Sequence, residues 1–308
     1  MASDEYEFKG RRGIAVILVN ENFEQNDLSI RRGARKDLEM AEKTFRRLGF
    51  EVKAYFNQTA SQMLDRMKQA TGDKDIEKMD CFVCVISSHG DPLDEEGVNY
   101  KSRTDWIWGT DRDIKIDTLL APLTEAQCPG LAGKPKLCFI QACRGGRVSK
   151  AVEVVPGKIE EERSQPAFVG STSESTMQNI PIQRDFMLAW AVPPEFIAFH
   201  RKSGSWFIKA ICIILDDYAV KCQQLVDAHA MEKLDISKIQ LARYMHENLQ
   251  NFDIMTLMTM VNNYVGTKFI SRLPSDDYLD KKKCMPWVAH QLTKEVFLHK
   301  MFLQTEPN

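Results

Sequence analysis

The chain has 308 residues, of which 44% are hydrophobic, and its 41 basic and 43 acidic side chains give a formal net charge of −2. This composition is that of an ordinary globular protein, and the charge balance gives no global reason to bind nucleic acid or an anionic membrane surface. The N-terminal residues are charged and lack the apolar stretch of a signal sequence, and no apolar run is long enough to span a bilayer. We therefore expect a soluble, cytoplasmic protein.

Short apolar segments alternate with amphipathic ones through the first half of the chain. Residues 13–20, GIAVILVN, predict a strand, and residues 33–50 place apolar side chains at helical spacing. The alternation continues in EVKAYF (51–56), SQMLDRMKQATG (61–72), CFVCVISSHG (81–90) and KPKLCFIQAC (134–143). This order predicts an α/β fold with a largely parallel sheet, in which sites gather at the carboxyl ends of the strands.

Residues 147–180 interrupt this alternation with Pro, Gly, Ser, Thr and a glutamate triplet, which predicts an exposed linker. After the linker come a predicted strand, two predicted helices and a C-terminal segment of mixed strand character: DFMLAWAV (185–192), SWFIKAICIILDDYA (205–219), DIMTLMTMVNNYVGTKF (253–269) and CMPWVAHQLTKEVFL (284–298). The polar stretch between the two helices, about 219–250, fits either an extra helix or a mobile excursion.

The eight cysteines predict reduced thiols in a reducing compartment rather than a disulfide framework. Cys81 and Cys84 form a CxxC, but they lie in an apolar, strand-like run, where residues three apart point to opposite faces. No second cysteine or histidine pair stands at the spacing of a zinc finger. We therefore expect these cysteines in the core, without a metal.

Cys143 and His89 each follow an apolar predicted strand, in IQACRGG and ISSHG. A thiol at a sheet edge can act as a nucleophile when a nearby imidazole takes its proton and later protonates the leaving amine. Gly90 has no side chain, so its backbone N–H could reach a substrate carbonyl together with that of Cys143. The residues alone leave the alternative open, because buried cysteines at strand ends are common.

QACRG, with a histidine about fifty residues upstream, resembles the signature of the caspase family. The resemblance extends in the family's order through SSHG (87–90), GKPKLCFIQACRGG (133–146), IPIQRDFMLAWA (180–191), GSWFIKAIC (204–212), VNNYVGTKF (261–269) and MPWVAHQLTKEVFL (285–298). It implies a three-layer α/β fold with a central, mostly parallel sheet flanked by helices. It also implies a cysteine endopeptidase that cleaves proteins after aspartate, is made as a single-chain zymogen, works as a dimer and needs no cofactor or metal.

By this resemblance Cys143 is the nucleophile, His89 the general acid and base, and Gly90 an oxyanion donor. Arg31 and Gln141 correspond to an arginine and a glutamine that hold the substrate aspartate. Guanidinium groups suit this task because their fork matches a carboxylate. The resemblance gives a less direct part in substrate binding to three further residues: Trp206, Phe199 and Arg201.

Trp206 corresponds to an aromatic residue beside the more distant substrate subsites, although a tryptophan that opens an apolar helix is more often a core residue. The family's second arginine stands five residues before the glycine of GSWF, and this position is Phe199 here. Arg201 stands three residues before that glycine. Either the loop is shifted and Arg201 substitutes, or the contact is lost.

The resemblance also predicts how the chain is divided. We expect a short N-terminal segment (1–12) without a death-fold module, a large-subunit-like region with the catalytic residues (13–146), the linker (147–180) and a small-subunit-like region (181–308). Zymogens of the family are usually cut after an aspartate in the linker, but residues 147–180 contain none. Self-processing there is not expected.

Two hypotheses follow from the sequence. In the first, the chain is an active, short-prodomain caspase that acts on protein substrates in apoptosis or a related proteolytic programme. In the second, it is a weak or silent homologue that regulates an active caspase by dimerising with it. In both, we expect a homodimer or a heterodimer formed through a C-terminal strand such as KEVFL (294–298), whose unpaired edge a second chain can cover.

Overall fold

The computed structural model describes eight stretches of the chain: residues 4–9, 13–25, 28–91, 105–145, 148–150, 183–232, 252–272 and 274–300. Within them, no helix has the length and apolar character needed to cross a membrane. All eight cysteines lie in these stretches, and none of them forms a disulfide.

The described strands are, in chain order, β1 (Ile14–Val19), β2 (Glu51–Phe56), β3 (Phe82–Ser87), β4 (Gly90–Asp91), β5 (Trp106–Trp108), β6 (Asp113–Lys115), β7 (Lys136–Gln141), β8 (Ser149–Lys150), β9 (Phe186–Trp190), β10 (His200–Arg201), β11 (Gly204–Ser205), β12 (Lys282–Lys283) and β13 (Trp287–His290). The α-helices are α1 (Ala34–Arg47), α2 (Ala60–Thr71), α3 (Ile116–Leu120), α4 (Trp206–Glu232) and α5 (Ile254–Lys268). Short 3₁₀ turns cover Ile76–Lys78, Ala121–Leu123 and Pro129–Leu131.

Six strands form the central sheet in the order β13-β9-β7-β3-β1-β2. The five from β9 to β2 are parallel, and β13 pairs antiparallel with β9 at one edge. The register aligns Val19 with Ser87 and Ser87 with Gln141. Because parallel strands present their carboxyl ends at one edge, the residues after β1, β3 and β7 meet there.

The three layers follow from strands that are buried on both faces. Along β1 every residue is buried, and alternate side chains face opposite sides of the sheet. Ala15, Ile17 and Val19 share one core cluster with apolar residues of α1, α4 and α5, whereas residues of α2 and α3 pack on the other face. Cys81 and Cys84 are both fully buried and belong to these two different clusters, as their spacing predicts.

The C-terminal part differs from the sequence prediction in two places. Helix α4 continues to Glu232, so the first part of the polar stretch at 219–250 extends this helix, and residues 233–251 lie outside the described residues. The prediction that KEVFL forms the edge strand was wrong. The edge strand is β13, seven residues earlier in the chain, and Val296, Phe297 and Leu298 are buried in the interior instead.

The N-terminal residues are part of the packed structure. Tyr6 and Phe8 are buried, and the Tyr6 backbone N–H donates to the Glu295 carbonyl. The Tyr6 hydroxyl also donates a 2.5 Å hydrogen bond to the buried carboxylate of Asp185, which accepts a second hydrogen bond from Thr293. This cluster joins the beginning of the chain to the segments before β9 and after β13.

Candidate active site

Cys143 and His89 lie at the same edge of the sheet. His89 stands two residues beyond Ser87, where β3 ends, and Cys143 stands two residues beyond Gln141, where β7 ends. Ser87 and Gln141 are paired in the sheet. Gly90 lies directly against the Cys143 segment, since a Cβ atom at this glycine would come within 2.5 Å of the Cys143 carbonyl oxygen and 2.9 Å of the Ala142 Cβ. A residue without a side chain is therefore required here for the two segments to approach.

The His89 ring is oriented by a backbone group. Its Nε2 lies 2.7 Å from the carbonyl oxygen of Ser29, and its ring contacts Phe23 at 4.7 Å between centroids. A carbonyl oxygen only accepts, so Nε2 carries the proton and Nδ1 remains as the basic nitrogen. Burial lowers the pKa of His89 below its ordinary value, and the charge of Arg31 lowers it further, although the hydrogen bond with Ser29 opposes both. The ring is thus a neutral base at pH 7.

The Cys143 thiol is half-buried, in contrast to the other seven cysteines, which are buried. The backbone N–H of Ala198 points at its sulfur, with 3.4 Å between nitrogen and Sγ. The segment before Ala198 runs alongside the Cys143 loop, because the Glu195 N–H donates to the Arg144 carbonyl and the Arg144 N–H donates to the Phe196 carbonyl. An N–H aimed at sulfur stabilises the thiolate, which is the nucleophilic form.

Arg144 anchors the loop that carries Cys143. Its fully buried side chain forms two hydrogen bonds with the Asp105 carboxylate, Nε to Oδ1 at 3.0 Å and Nη2 to Oδ2 at 2.6 Å. The guanidinium also lies between the rings of Trp190 and Trp287, 4.4 and 4.9 Å from their centroids. A bidentate pair held between two aromatic rings fixes the backbone immediately after the thiol.

Arg31 is a buried cation beside the candidate dyad. It donates to the Asn20 carbonyl at 2.8 Å and to the Ser87 hydroxyl at 3.0 Å, and it forms no ion pair within the described chain. Asp37 is linked to it only through Ser87, whose hydroxyl donates to that carboxylate at 3.0 Å. Burial lowers the pKa of Arg31, while the charge of Asp37 opposes this change. An anionic ligand would give the guanidinium a direct partner.

Gln141 lies at the same part of the sheet edge, paired with Ser87, which accepts a hydrogen bond from Arg31. Its side chain is almost fully buried, and its Oε1 has no hydrogen-bond partner among the described residues. Buried polar atoms are rarely left unpaired in proteins, so an amide whose oxygen is unpaired, next to Ser87, is suited to a ligand. Arg31, Gln141, His89 and Cys143 are thus collected at one edge of the sheet.

The comparison with known proteins identifies the family. A family model described as the caspase domain matches residues 12–297. The chain belongs to the caspase family. It is 31% identical to caspase-3 of Mesocricetus auratus over 289 residues, which cover 93% of this chain and 84% of that protein. It is 29% identical to caspase-7 of Gallus gallus over 287 residues, 92% of this chain and 76% of that protein.

The fold is that of a caspase as well. The crystal structure of caspase-1 from Spodoptera frugiperda superposes with a TM-score of 0.70 at 24% identity, and the match covers 97% of this chain and 94% of that one. Membership in the family makes the chain a cysteine peptidase by kind.

The candidate substrate-binding residues after β9 are not all collected at the sheet edge. Phe199 stacks on Trp206 at 4.9 Å, and Trp206 stacks in turn on Phe269 at 5.3 Å. Trp206 is buried in this stack and belongs to the hydrophobic core. Arg201 is exposed, donates to the Ile270 carbonyl at 2.7 Å, and its guanidinium lies 5.5 Å from the centre of the Trp206 ring.

Sequence reasoning missed the backbone groups of this site. The Ser29 carbonyl that orients His89 and the Ala198 N–H that contacts Cys143 belong to the main chain, which any residue type supplies. No signal in the sequence marks them. The contact of Phe23 with His89 also has no sequence signal, since a single aromatic residue in a polar segment forms no pattern.

Proposed function

We propose that this caspase-family chain is an active cysteine endopeptidase that cleaves proteins after aspartate, with Cys143 as the nucleophile and His89 as the general acid and base. The observation that supports it best is the arrangement at the sheet edge: a half-buried thiol, a neutral imidazole with a fixed tautomer, and a buried arginine that has no ion pair among the described residues. A role as a silent partner would not require any of these three features.

The reaction would proceed in two stages. His89 Nδ1 takes the proton of the Cys143 thiol, and the thiolate attacks the carbonyl carbon of the peptide bond. The resulting oxyanion is stabilised by the N–H groups of Gly90 and Cys143. His89 then gives its proton to the leaving amine as the carbon–nitrogen bond breaks, and a water molecule activated by His89 hydrolyses the thioester.

The substrate aspartate would be held by Arg31 and Gln141. A carboxylate placed against Arg31 forms charge-assisted hydrogen bonds, which are about twice as strong as neutral ones. The Gln141 amide can turn to present its N–H₂ group to the same carboxylate, since its oxygen has no partner among the described residues. A substrate with a neutral residue at this position would leave the buried guanidinium without an anion.

We further propose a cytoplasmic zymogen with a large-subunit-like region at 13–146, a linker at 147–180 and a small-subunit-like region at 181–308, acting in apoptosis or related programmed proteolysis. Its dimer, with itself or with another caspase, would form through β13, which is the antiparallel edge of the central sheet. The aromatic stack that holds Phe199 favours reduced activity, because it removes the position of the family's second arginine from the pocket.

The proposal is tested with fluorogenic tetrapeptides that end in aspartate and with matched peptides that end in asparagine. We expect the purified chain to hydrolyse the aspartyl peptides preferentially and the Cys143→Ala variant to be inactive. Activity that survives in Cys143→Ala would contradict the assigned nucleophile. Absence of hydrolysis over the whole panel, combined with altered activity of a second caspase upon mixing, would favour the regulatory role instead.

A further inference from the structure

The hairpin formed by β10 and β11 lies directly against the turn that carries Arg31. Gly33 in this turn has φ 103, and a Cβ atom there would come within 2.1 Å of the Arg201 carbonyl oxygen and 3.0 Å of the Lys202 carbonyl. Such contact leaves no space between the two backbones. Side chains of the hairpin that point toward this turn therefore border the Arg31 corner of the sheet edge.

His200 points to that side of the hairpin. Successive side chains of an extended segment alternate in direction, and Phe199 is turned toward the stack with Trp206 and Phe269. His200 thus faces the opposite way, on the side of Ala198, whose N–H contacts the Cys143 sulfur. The charges that act on the His200 ring agree with this direction, since they belong to Arg31 and His89.

We propose that His200 is a specificity-determining residue that contacts the carboxylate of the substrate aspartate, opposite Arg31. His200 would bind the carboxylate in place of the second arginine that other members of the family use. The inference rests on the proposed function, because it assigns a ligand to the same pocket. It also differs from both alternatives drawn from the sequence, since neither Phe199 nor Arg201 supplies the contact.

The protonation state of His200 sets the strength of this contact. Desolvation lowers the pKa of His200 to about 4, the charge of Arg31 and that of His89 in its protonated form add to this effect, and a backbone hydrogen bond with Arg32 opposes it. The His200 side chain is exposed, so a ligand can reach it. At pH 7 the ring is neutral and has a single N–H, which can donate either to the backbone of Arg32 or to a bound carboxylate, whereas the protonated ring can donate to both. A carboxylate bound between Arg31 and His200 raises the pKa of His200, so aspartate binding is accompanied by proton uptake as the pH falls.

The test uses binding, so that it does not depend on turnover. In a Cys143→Ala background, isothermal calorimetry measures the affinity of an acetylated tetrapeptide amide that ends in aspartate and of its asparagine counterpart. We expect His200→Ala to weaken binding of the aspartyl peptide about tenfold at pH 7.5 and to leave the asparaginyl peptide nearly unchanged. His200→Arg should strengthen binding of the aspartyl peptide by about tenfold or more. Lys202→Ala, an exposed neighbour in the turn, is the control.

The pH dependence separates a ligand contact from a structural role. The affinity advantage of the natural histidine over the His200→Ala variant should grow between pH 7.5 and pH 5.5 for the aspartyl peptide only. Equal affinities of the natural His200 chain and of its His200→Ala and His200→Arg variants for the aspartyl peptide would overturn the inference while leaving the proposed function intact. Loss of any preference for aspartate over asparagine in the Cys143→Ala protein itself would overturn both.

Discussion

The ion pair between Arg144 and Asp105 allows a sharp prediction about the Cys143 loop. The Arg144 side chain is fully buried and Asp105 nearly so, and the pair makes two hydrogen bonds, of 3.0 and 2.6 Å. Asp105→Asn keeps the shape but leaves the guanidinium charge buried without a counter-charge. Removal of one partner from a buried pair costs about 3–5 kcal/mol, a large part of the stability of a typical domain.

Equilibrium urea unfolding measures this change, and the fluorescence of Trp190 and Trp287, which flank Arg144, reports on the same region. We expect Asp105→Asn to lower the free energy of unfolding by about 3 kcal/mol, because the Asn carbonyl keeps one acceptor. Asp113→Asn is the matched control, because Asp113 is a half-buried carboxylate on β6, which pairs with β5 directly after Asp105, and it should change the free energy of unfolding by less than about 0.5 kcal/mol. Equal effects of the two substitutions would refute the assigned anchor.

Three further predictions concern catalysis and assembly. Because the pKa of His89 is lowered by burial, its imidazole stays neutral at pH 7. We therefore expect kcat/KM on aspartyl peptides to fall only as the pH drops below about 6.5. An acid limb with an apparent pKa above that value would contradict the assignment of His89 as a neutral base. Phe199→Arg should not raise kcat/KM, because position 199 faces the Trp206 stack. The substitution should lower the free energy of unfolding in urea by about 0.5–1.5 kcal/mol. A tenfold gain in kcat/KM would show that the side chain turns into the pocket. Light scattering at tens of micromolar should give twice the mass of the chain through pairing of β13 edges, and a strict monomer, alone and with another caspase, would exclude this edge as an interface.

The sequence predicts the sheet edge well, for a physical reason. Parallel strands buried on both faces leave continuous apolar runs, and the residues after these runs are easy to place. His89 and Cys143 follow two such runs that are neighbours in the sheet, so their proximity follows from the fold. The burial of Cys81 and Cys84 on opposite faces of the sheet follows from strand alternation in the same way.

The pocket after β9 could not be predicted in the same way. The direction of Phe199 depends on Trp206 and Phe269, and Phe269 is seventy residues away in the chain. Alignment with a family motif assigns a position to the arginine but does not fix which neighbouring side chain turns toward the ligand. KEVFL shows the same limit, since its apolar residues fit a strand, yet the tertiary structure buries them without a place in the central sheet.

The nucleophile is tested most directly by a peptidyl aspartyl chloromethyl ketone followed by peptide mapping. Burial raises the pKa of Cys212, Cys222 and Cys284 to about 12, so their thiols are protonated at pH 7.5 and enclosed. We predict one label per folded chain, located on Cys143, with labelling much slower for the asparaginyl analogue and for the His89→Ala variant. A label on another cysteine, or equal rates for the aspartyl and asparaginyl reagents, would contradict the account.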